Sequence, residues 1–332
     1  MRVQKIAIEE HFGIPDTVDK ESNYLPGDGW QELKQSLLDT EGRLLPLMDR
    51  YGIEKSVMSL TSGGIQTILS SREAVETAQR ANDYIARLVA KRPDRLQAFA
   101  ALPLQDPEAA AAELTRAVEQ LGLVGGLVNG FTQRDRPDNF LYYDLPQFWP
   151  FWEQVEKLGV PVYIHPRYLP KGRPSDIEGH PWFTGSAWMF GVNTATHALR
   201  LMASGLFDRY PKLSVIIGHL GETIPNTIWR IDHRVKMMPR GITIQKSFSE
   251  YLRRNFYVTT SGNFCTTALL NVLLTMGADR VLFAVDYPYE PVADAAEWFD
   301  RVDAISEPDW EKIARTNAAK LLRLGHARAA AE

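Results

Sequence analysis

The sequence predicts an α/β protein, a closed (β/α)₈ TIM-like barrel that forms one domain over residues 1–332. Two observations predict this fold: short β-branched runs alternate with longer stretches of helical period, and no linker or low-complexity segment divides the chain. The short runs are also mostly apolar, as expected of parallel strands that helices cover on both faces. An open doubly wound sheet is the main competitor, but no G-x-G-x-x-G motif follows the first run.

Each element has its own signal in the chain. Eight strands are predicted from the β-branched runs, at Ile6–Phe12, Lys55–Leu60, Leu96–Leu102, Gly125–Gly130, Val160–Pro166, Leu213–Leu220, Phe256–Ser261 and Val281–Asp286. Helices are predicted where apolar spacing, N-cap residues or proline at a first turn occur, at Ala74–Ala90, from Asp106-Pro107 to about Leu121, and from Ser306 to Leu324.

Two segments exceed the usual loop lengths, one after the first strand and one after the fifth. They run from Gly13 to about Gln35 and from Arg167 to about Phe190. Both follow strands, so both are expected at the C-terminal face, where barrel proteins build their sites. They carry aromatic residues that suit a flat ring ligand or, equally well, pack the loops onto the barrel: Tyr24, Trp30, Trp182, Trp188 and Phe190.

Composition excludes several classes of function. The net charge is −4, from 37 Lys and Arg against 41 Asp and Glu, which does not favour nucleic acid. No stretch approaches the roughly 18 consecutive apolar residues of a membrane span, and we expect no signal peptide before the first strand. The single cysteine, Cys265, excludes an internal disulfide. A cytoplasmic protein is expected.

Titratable residues stand at the C-terminal ends of four predicted strands. They are Glu9 and His11, His165, His219 with Glu222, and Asp286. A barrel gathers these ends around one axis, and buried charge is costly unless paired or bound to metal. Each residue taken alone also fits a purely structural role: a histidine can serve as a hydrogen-bonding residue, and Asp286 can cap a turn. Together they predict one divalent metal ion at Glu9, His11, His165 and Asp286, with Glu10 facing the other way.

Motifs along nearly the whole chain resemble one known family. Besides the opening Ile6–Phe12 they are Ala98–Pro107, Leu127–Gly130, His165–Arg167, Gly179–Trp182, His197–Asp208, Gly218–Glu222, Trp229–His233, Thr259–Gly262 and Asp286–Pro288. The family comprises the amidohydrolase-superfamily aromatic (hydroxybenzoate) decarboxylases related to aminocarboxymuconate-semialdehyde decarboxylase. Within it the chain looks closest to the γ-resorcylate (2,6-dihydroxybenzoate) branch.

The resemblance implies a barrel of amidohydrolase type, one divalent ion (Zn²⁺ or Mn²⁺, with Mg²⁺ also open), and reversible non-oxidative loss of CO₂ from a small aromatic carboxylic acid. It also implies a homodimer or homotetramer. The metal-ligand positions fall on Glu9, His11, His165 and Asp286. Asp286 is expected to donate a proton to the ring carbon, assisted by His219 and Glu222. Substrate-binding positions are predicted at Arg230, Tyr24, Asn129, Phe190 and Tyr289.

Two departures from the binuclear amidohydrolases favour a single ion. The first strand offers Glu9-x-His11 in place of His-x-His, and the fourth ends in Asn129 where those enzymes carry a bridging lysine. His11 favours the 2,6-dihydroxybenzoate branch over the 2,3-dihydroxybenzoate one, although 2,3-dihydroxybenzoate and 5-carboxyvanillate stay open as substrates. Two rival functions also stay open: a metal-dependent hydrolase of a lactone or amide, and a non-catalytic small-molecule binder.

Overall fold

The computed structural model describes residues 3–21, 28–169, 177 and 179–324. The strands in these ranges are β1 (Lys5–Phe12), β2 (Ile53–Leu60), β3 (Leu96–Ala98), β4 (Ala100–Ala101), β5 (Gly126–Asn129), β6 (Thr132–Arg134), β7 (Arg136–Leu141), β8 (Val162–His165), β9 (Val215–Ile217), β10 (Phe256–Thr259) and β11 (Val281–Leu282).

Helices follow the barrel strands along the chain. They are α1 (Asp28–Leu38), α2 (Leu45–Tyr51), α3 (Ser71–Lys91), α4 (Pro107–Glu119), α5 (Trp149–Leu158), α6 (Met189–Ala203), α7 (Leu206–Arg209), α8 (Ile224–Met237), α9 (Phe248–Asn255), α10 (Thr266–Met276), α11 (Val292–Arg301), α12 (Glu307–Glu311) and α13 (Asn317–Leu321). No helix in the described ranges is long and apolar enough to span a bilayer.

The strands close into a cylinder of parallel neighbours. One sheet has the order β1-β2-β3 and the other β4-β5-β8-β9-β10-β11. Phe99 joins them, because it lies between β3 and β4 and donates its backbone N–H to the carbonyl of Met58 (2.9 Å). The cylinder closes after β11, where the N–H of Asp286 donates to the carbonyl of Glu9 (2.9 Å). The predicted (β/α)₈ barrel is therefore confirmed.

Six of the eight predicted strands extend beyond the strands of the structure, by one or more residues at an end or through an interruption. Leu96–Leu102 is interrupted at Phe99, and the ladder of Val281–Asp286 ends at Leu282. Leu213–Leu220 ends at Ile217, because residues 219–223 all have φ between 52° and 82°, a left-handed conformation that no strand contains. The antiparallel hairpin β6-β7 was not predicted, since its polar sequence gives no alternating pattern.

A bulge in β1 aims the first two ligand-type residues inward. Ala7 pairs with Ser56 but Glu10 pairs with Met58, so β1 has one residue more than β2 in this stretch. Ile8 packs in the cluster of apolar residues that fills the barrel, and its neighbour Glu9 also faces the interior, where it contacts Tyr163. Bulges next to active sites commonly redirect a side chain in this way.

The predicted helices are found, with one correction to a helix and one to a loop. Ser70 and Asp106 cap α3 and α4 by accepting backbone N–H groups. The helix predicted over Ser306–Leu324 is divided, because a π-helical turn at Lys312–Thr316 separates α12 from α13. The first long loop is shorter than predicted, because α1 begins at Asp28 and buries Trp30 in a small apolar cluster. Part of the second long loop lies outside the described residues.

Candidate metal centre

Four ligand-type side chains meet at the C-terminal end of the barrel. β1 supplies Glu9 and His11, β8 ends at His165, and Asp286 follows β11. One potential ligand atom of each lies within 4.8 Å of those of the others. Nε2 of His11 is 3.0 Å from Oδ1 of Asp286, and Nε2 of His165 is 3.5 Å from Oε1 of Glu9. The structure thus brings together the four residues that the sequence predicts as metal ligands.

The donor set fits one divalent cation. In the described part of the chain, Oε1 of Glu9 is buried without a hydrogen-bond partner, although a buried acceptor is rarely left unsatisfied. Burial raises the pKa of Glu9, which reflects the cost of taking a charged carboxylate out of water. Burial and the neighbouring His11 lower the pKa of His165 well below its usual value, which keeps the imidazole neutral, the form that binds metal. Two carboxylates and two imidazoles suit Zn²⁺ or Mn²⁺.

Three hydroxyl groups orient Glu9. Thr259 donates to Oε2 at 2.9 Å, and Tyr163 and Ser261 donate to the same oxygen. They come from β8 and from β10 and the residues directly after it, so two barrel strands hold one carboxylate oxygen. Because all three act on Oε2, Oε1 stays directed at the histidines.

Asn129 orients His165. Its Oδ1 lies 2.9 Å from Nδ1 of His165, an arrangement that places the proton on Nδ1 and leaves the Nε2 lone pair facing Glu9. Asn129 is 2% exposed and lies behind the histidine. The structure therefore gives Asn129 a contact other than the substrate contact predicted for it.

His219 and Glu222 stand on the left-handed stretch of residues 219–223. Nδ1 of His219 lies 2.6 Å from Oε1 of Glu222, and its Nε2 lies 3.7 Å from Oδ2 of Asp286 and 3.8 Å from Oε1 of Glu9. L-residues rarely adopt such a φ, and it persists only where the surroundings enforce it, commonly at functional sites. Burial lowers the pKa of His219, but Glu222 and Asp286 outweigh it and raise the pKa well above the usual value.

Asp286 lies between His11 and His219. Burial raises its pKa, but the hydrogen bond with His11 and the nearby imidazole of His219 outweigh that effect, so the pKa is lowered below the usual value. The side chain is 13% exposed, whereas Glu9 and His11 are fully buried. Asp286 is thus the most solvent-exposed of the four clustered residues.

A cavity of about 500 Å³ opens above Asp286. His219 and Glu222 form part of its wall, and Trp188 and Phe190 line it with aromatic surface. Its volume falls within the roughly 300–1,000 Å³ of small-molecule sites. Among the predicted substrate-binding residues, Phe190 therefore lines this cavity.

None of the other predicted pocket residues that the structure describes lines this cavity. Arg230 is exposed on α8 and does not line the cavity. Tyr289 packs its ring edge-on against His11, with 5.5 Å between centroids. Tyr24 lies outside the described residues. Of the remaining loop aromatics, Trp30 is buried in packing and Trp182 is 61% exposed.

Several residues of the site were not predicted. The sequence pattern could have identified Tyr163, Thr259 and Ser261. Residues two apart on a strand share a face, so Tyr163 lies on the same face as His165, and Thr259 on the same face as Ser261. Asn263 and Glu290, which also line the cavity, lie in loops and give no such pattern.

Comparison with known proteins gives the family. A family model described as Amidohydrolase matches residues 43–324. The chain belongs to the amidohydrolase family. As a whole it is also 52% identical over 324 residues to the γ-resorcylate decarboxylase of Rhizobium sp. (strain MTP-10005), covering 96% of this chain and 98% of that one. The resemblance to decarboxylases of this superfamily is therefore confirmed.

Solved structures of amidohydrolase-type decarboxylases share the fold. A crystal structure of 2,6-dihydroxybenzoate decarboxylase complexed with 2,6-dihydroxybenzoate is 50% identical, with a TM-score of 0.94, and covers 98% of this chain and 100% of that chain. A dihydroxybenzoic acid decarboxylase from Polaromonas sp. JS666, with bound manganese and the inhibitor 2-nitroresorcinol, is 48% identical, with a TM-score of 0.95 and 98% coverage of both chains.

Proposed function

We propose that this amidohydrolase removes CO₂ from an ortho-hydroxybenzoate, converting 2,6-dihydroxybenzoate to resorcinol in a reversible, metal-dependent reaction. The observation that carries the proposal is the cluster of Glu9, His11, His165 and Asp286 beneath an aromatic-lined cavity. The 52% identity to a γ-resorcylate decarboxylase and the likeness to a structure with bound 2,6-dihydroxybenzoate support this choice of substrate.

The four clustered residues would hold one divalent ion. When bound, the ion supplies Lewis acidity, which lowers the pKa of the ortho-phenol and fixes the acid group of the substrate. Manganese in the Polaromonas relative favours Mn²⁺, and the nitrogen and oxygen ligands are equally compatible with Zn²⁺.

The chain's own residues handle the proton. Decarboxylation forms a C–H bond at the carbon that carries the carboxylate, after which the C–C bond breaks and its electron pair returns to the ring. Asp286 lines the cavity and is the proposed donor. Its lowered pKa leaves Asp286 ionised at rest, so it needs a source for each proton, and Nε2 of His219 lies 3.7 Å from its Oδ2. Glu222 holds His219 in that orientation through the 2.6 Å contact at Nδ1.

Aromatic and apolar surface would hold the ring. Phe190 is 7% exposed, lines the cavity and packs edge-on against Tyr168, with 4.9 Å between centroids. Such a fixed ring provides a flat contact for a planar substrate. Substrate contacts of Tyr24, Asn129, Tyr289 and Arg230 stay predictions.

The test is a substrate panel with purified protein loaded with Mn²⁺ or Zn²⁺. Resorcinol and CO₂ are expected from 2,6-dihydroxybenzoate, with slower or no turnover of 2,3-dihydroxybenzoate and 5-carboxyvanillate. Asp286→Ala is the matched inactive control, expected to lose several orders of magnitude in kcat. Hydrolysis of a lactone or amide without decarboxylation would contradict the proposal and favour the hydrolase alternative.

We further propose that the protein works in the cytoplasm as a homodimer or homotetramer. Large side chains such as Trp229 (72% exposed) and Met237 (64% exposed) on α8 support self-association, since a contact between copies would remove them from water. The lone exposed Cys265 suits a reducing compartment. Light scattering on the purified protein measures the oligomeric state, and a monomer would contradict the proposed self-association.

A further inference from the structure

Glu10 is a buried acid, 1% exposed, that the proposed mechanism does not use. It follows the ligand-type Glu9 in β1 but faces another way. Its Oε1 accepts the backbone N–H of Val285 and its Oε2 accepts the backbone N–H of Tyr287, each at 3.0 Å. The two acceptor oxygens thus bind the peptide groups on either side of Asp286.

The backbone of Asp286 has a conformation that needs such support. Its φ is +82°, in the left-handed region that L-residues rarely adopt. Its own N–H donates to the carbonyl of Glu9 (2.9 Å), and the carbonyl of Tyr287 accepts the N–H of His11 (2.7 Å). Three consecutive N–H groups, at residues 285, 286 and 287, are therefore bound by the two adjacent glutamates of β1.

We propose that Glu10 is a positioning residue, which fixes the backbone of Asp286 so that its carboxylate faces His11 and His219 before any ion binds. This inference rests on the proposed function only for its effect on turnover. Side-chain atoms of Glu10 touch the backbone around Asp286 and not the cavity, so Glu10 acts through Asp286. The alternative is that a bound ion alone draws Asp286 into place and Glu10 merely contributes to stability.

Glutamine at position 10 separates the two roles. A carboxylate offers two acceptor oxygens, whereas an amide of the same shape offers one acceptor and one donor. Glu10→Gln therefore keeps the volume but sets an N–H₂ group against the N–H of Val285 or Tyr287. The matched control is Glu113→Gln, because Glu113 is also buried and paired, with Asn82 (2.7 Å) and Arg116 (2.8 Å), away from the cluster.

The experiment measures three quantities for wild type, Glu10→Gln and Glu113→Gln: the Kd for Mn²⁺, the electron paramagnetic resonance spectrum of the bound Mn²⁺, and kcat and KM separately. For Glu10→Gln we expect a 10- to 100-fold weaker Kd, an altered spectrum, and a larger fall in kcat than rise in KM. Glu113→Gln should lose thermal stability alone. Wild-type Kd, spectrum and kcat in Glu10→Gln would overturn the proposal.

Two further readouts keep the inference testable on its own. If wild type binds Mn²⁺ but decarboxylates nothing, the proposed function fails while Kd and spectrum still decide the role of Glu10. If Glu10→Gln does not fold, hydrogen exchange of metal-free wild type decides. The amides of Val285 and Tyr287 should exchange as slowly as that of Val258 in β10. Fast exchange that slows only on adding Mn²⁺ would show that the ion, not Glu10, fixes this segment.

Discussion

The contact between His219 and Glu222 gives a sharp test of the proton path. Glu222 is 5% exposed, and its Oε1 lies 2.6 Å from Nδ1 of the imidazole, a distance typical of a charge-assisted hydrogen bond. Glu222→Gln keeps an acceptor but removes the charge, whereas Glu222→Ala removes both. Neither change touches the four clustered residues, so the ion should stay bound.

The size of the effect follows from that bond. A hydrogen bond to a charged group contributes about 1.5–3 kcal/mol, which corresponds to roughly 10- to 150-fold in rate. Glu222→Gln should fall near the lower end and Glu222→Ala near the upper end. The assay follows resorcinol formation from 2,6-dihydroxybenzoate at saturating Mn²⁺, with metal content measured on the same samples. Glu250→Gln, in the capping box of α9, is the remote control.

Two outcomes would refute this reasoning. If Glu222→Ala keeps kcat within about twofold of wild type at full metal content, then Glu222 does not orient a residue that the reaction uses. If instead metal content falls in proportion to activity, then Glu222 acts on ion binding rather than on His219.

Three other changes test the remaining parts of the site and the fold. Asn129→Ala should weaken Mn²⁺ binding about 10- to 100-fold, because it frees the imidazole of His165; an unchanged Kd by calorimetry would contradict that role. Gly262→Ala should lower kcat, since the new Cβ would lie 2.9 Å from Cδ2 of His219 at a φ of +57°; wild-type kinetics would show that the loop has room. Burial, assisted by Arg200, lowers the pKa of His197 to about 3, and its Nε2 accepts the N–H of Tyr143. The unfolded chain, with a pKa near 6.5, takes up a proton on acidification that the folded chain does not. This contribution to stability is present above pH 6.5 and is lost as the pH falls toward 3. Between pH 7 and 5, wild type should lose about 2 kcal/mol more unfolding free energy than His197→Gln; equal losses in urea titrations would contradict the linkage.

The barrel and its cluster were predictable because both depend on local pattern. Buried strands are short and β-branched, and ligand-type residues at their ends stand out against an apolar sequence. Glu9 and His11 were assigned to one face by their spacing, and the structure agrees. The bulge after Ala7, which lets Ile8 and Glu9 both face inward, was not predictable, because register depends on the neighbouring strand.

The backbone conformations around His219 and Asp286 could also not be predicted from the sequence. The sequence predicts a strand that continues to Leu220, yet residues 219–223 have left-handed backbone conformations. Non-glycine residues at positive φ carry no sequence signature, since tertiary contacts enforce them. The roles of Asn129 and Glu10 likewise depend on partners distant in the chain, at His165 and around Asp286.

The central claim is that one ion, held by Glu9, His11, His165 and Asp286, is required for decarboxylation. The most direct measurement strips the protein of metal and titrates Mn²⁺ back while resorcinol formation from 2,6-dihydroxybenzoate is recorded. Activity should be absent at first, rise in proportion to added Mn²⁺, and stop rising at one ion per chain. Activity that survives stripping, or that requires two ions per chain, would contradict the account.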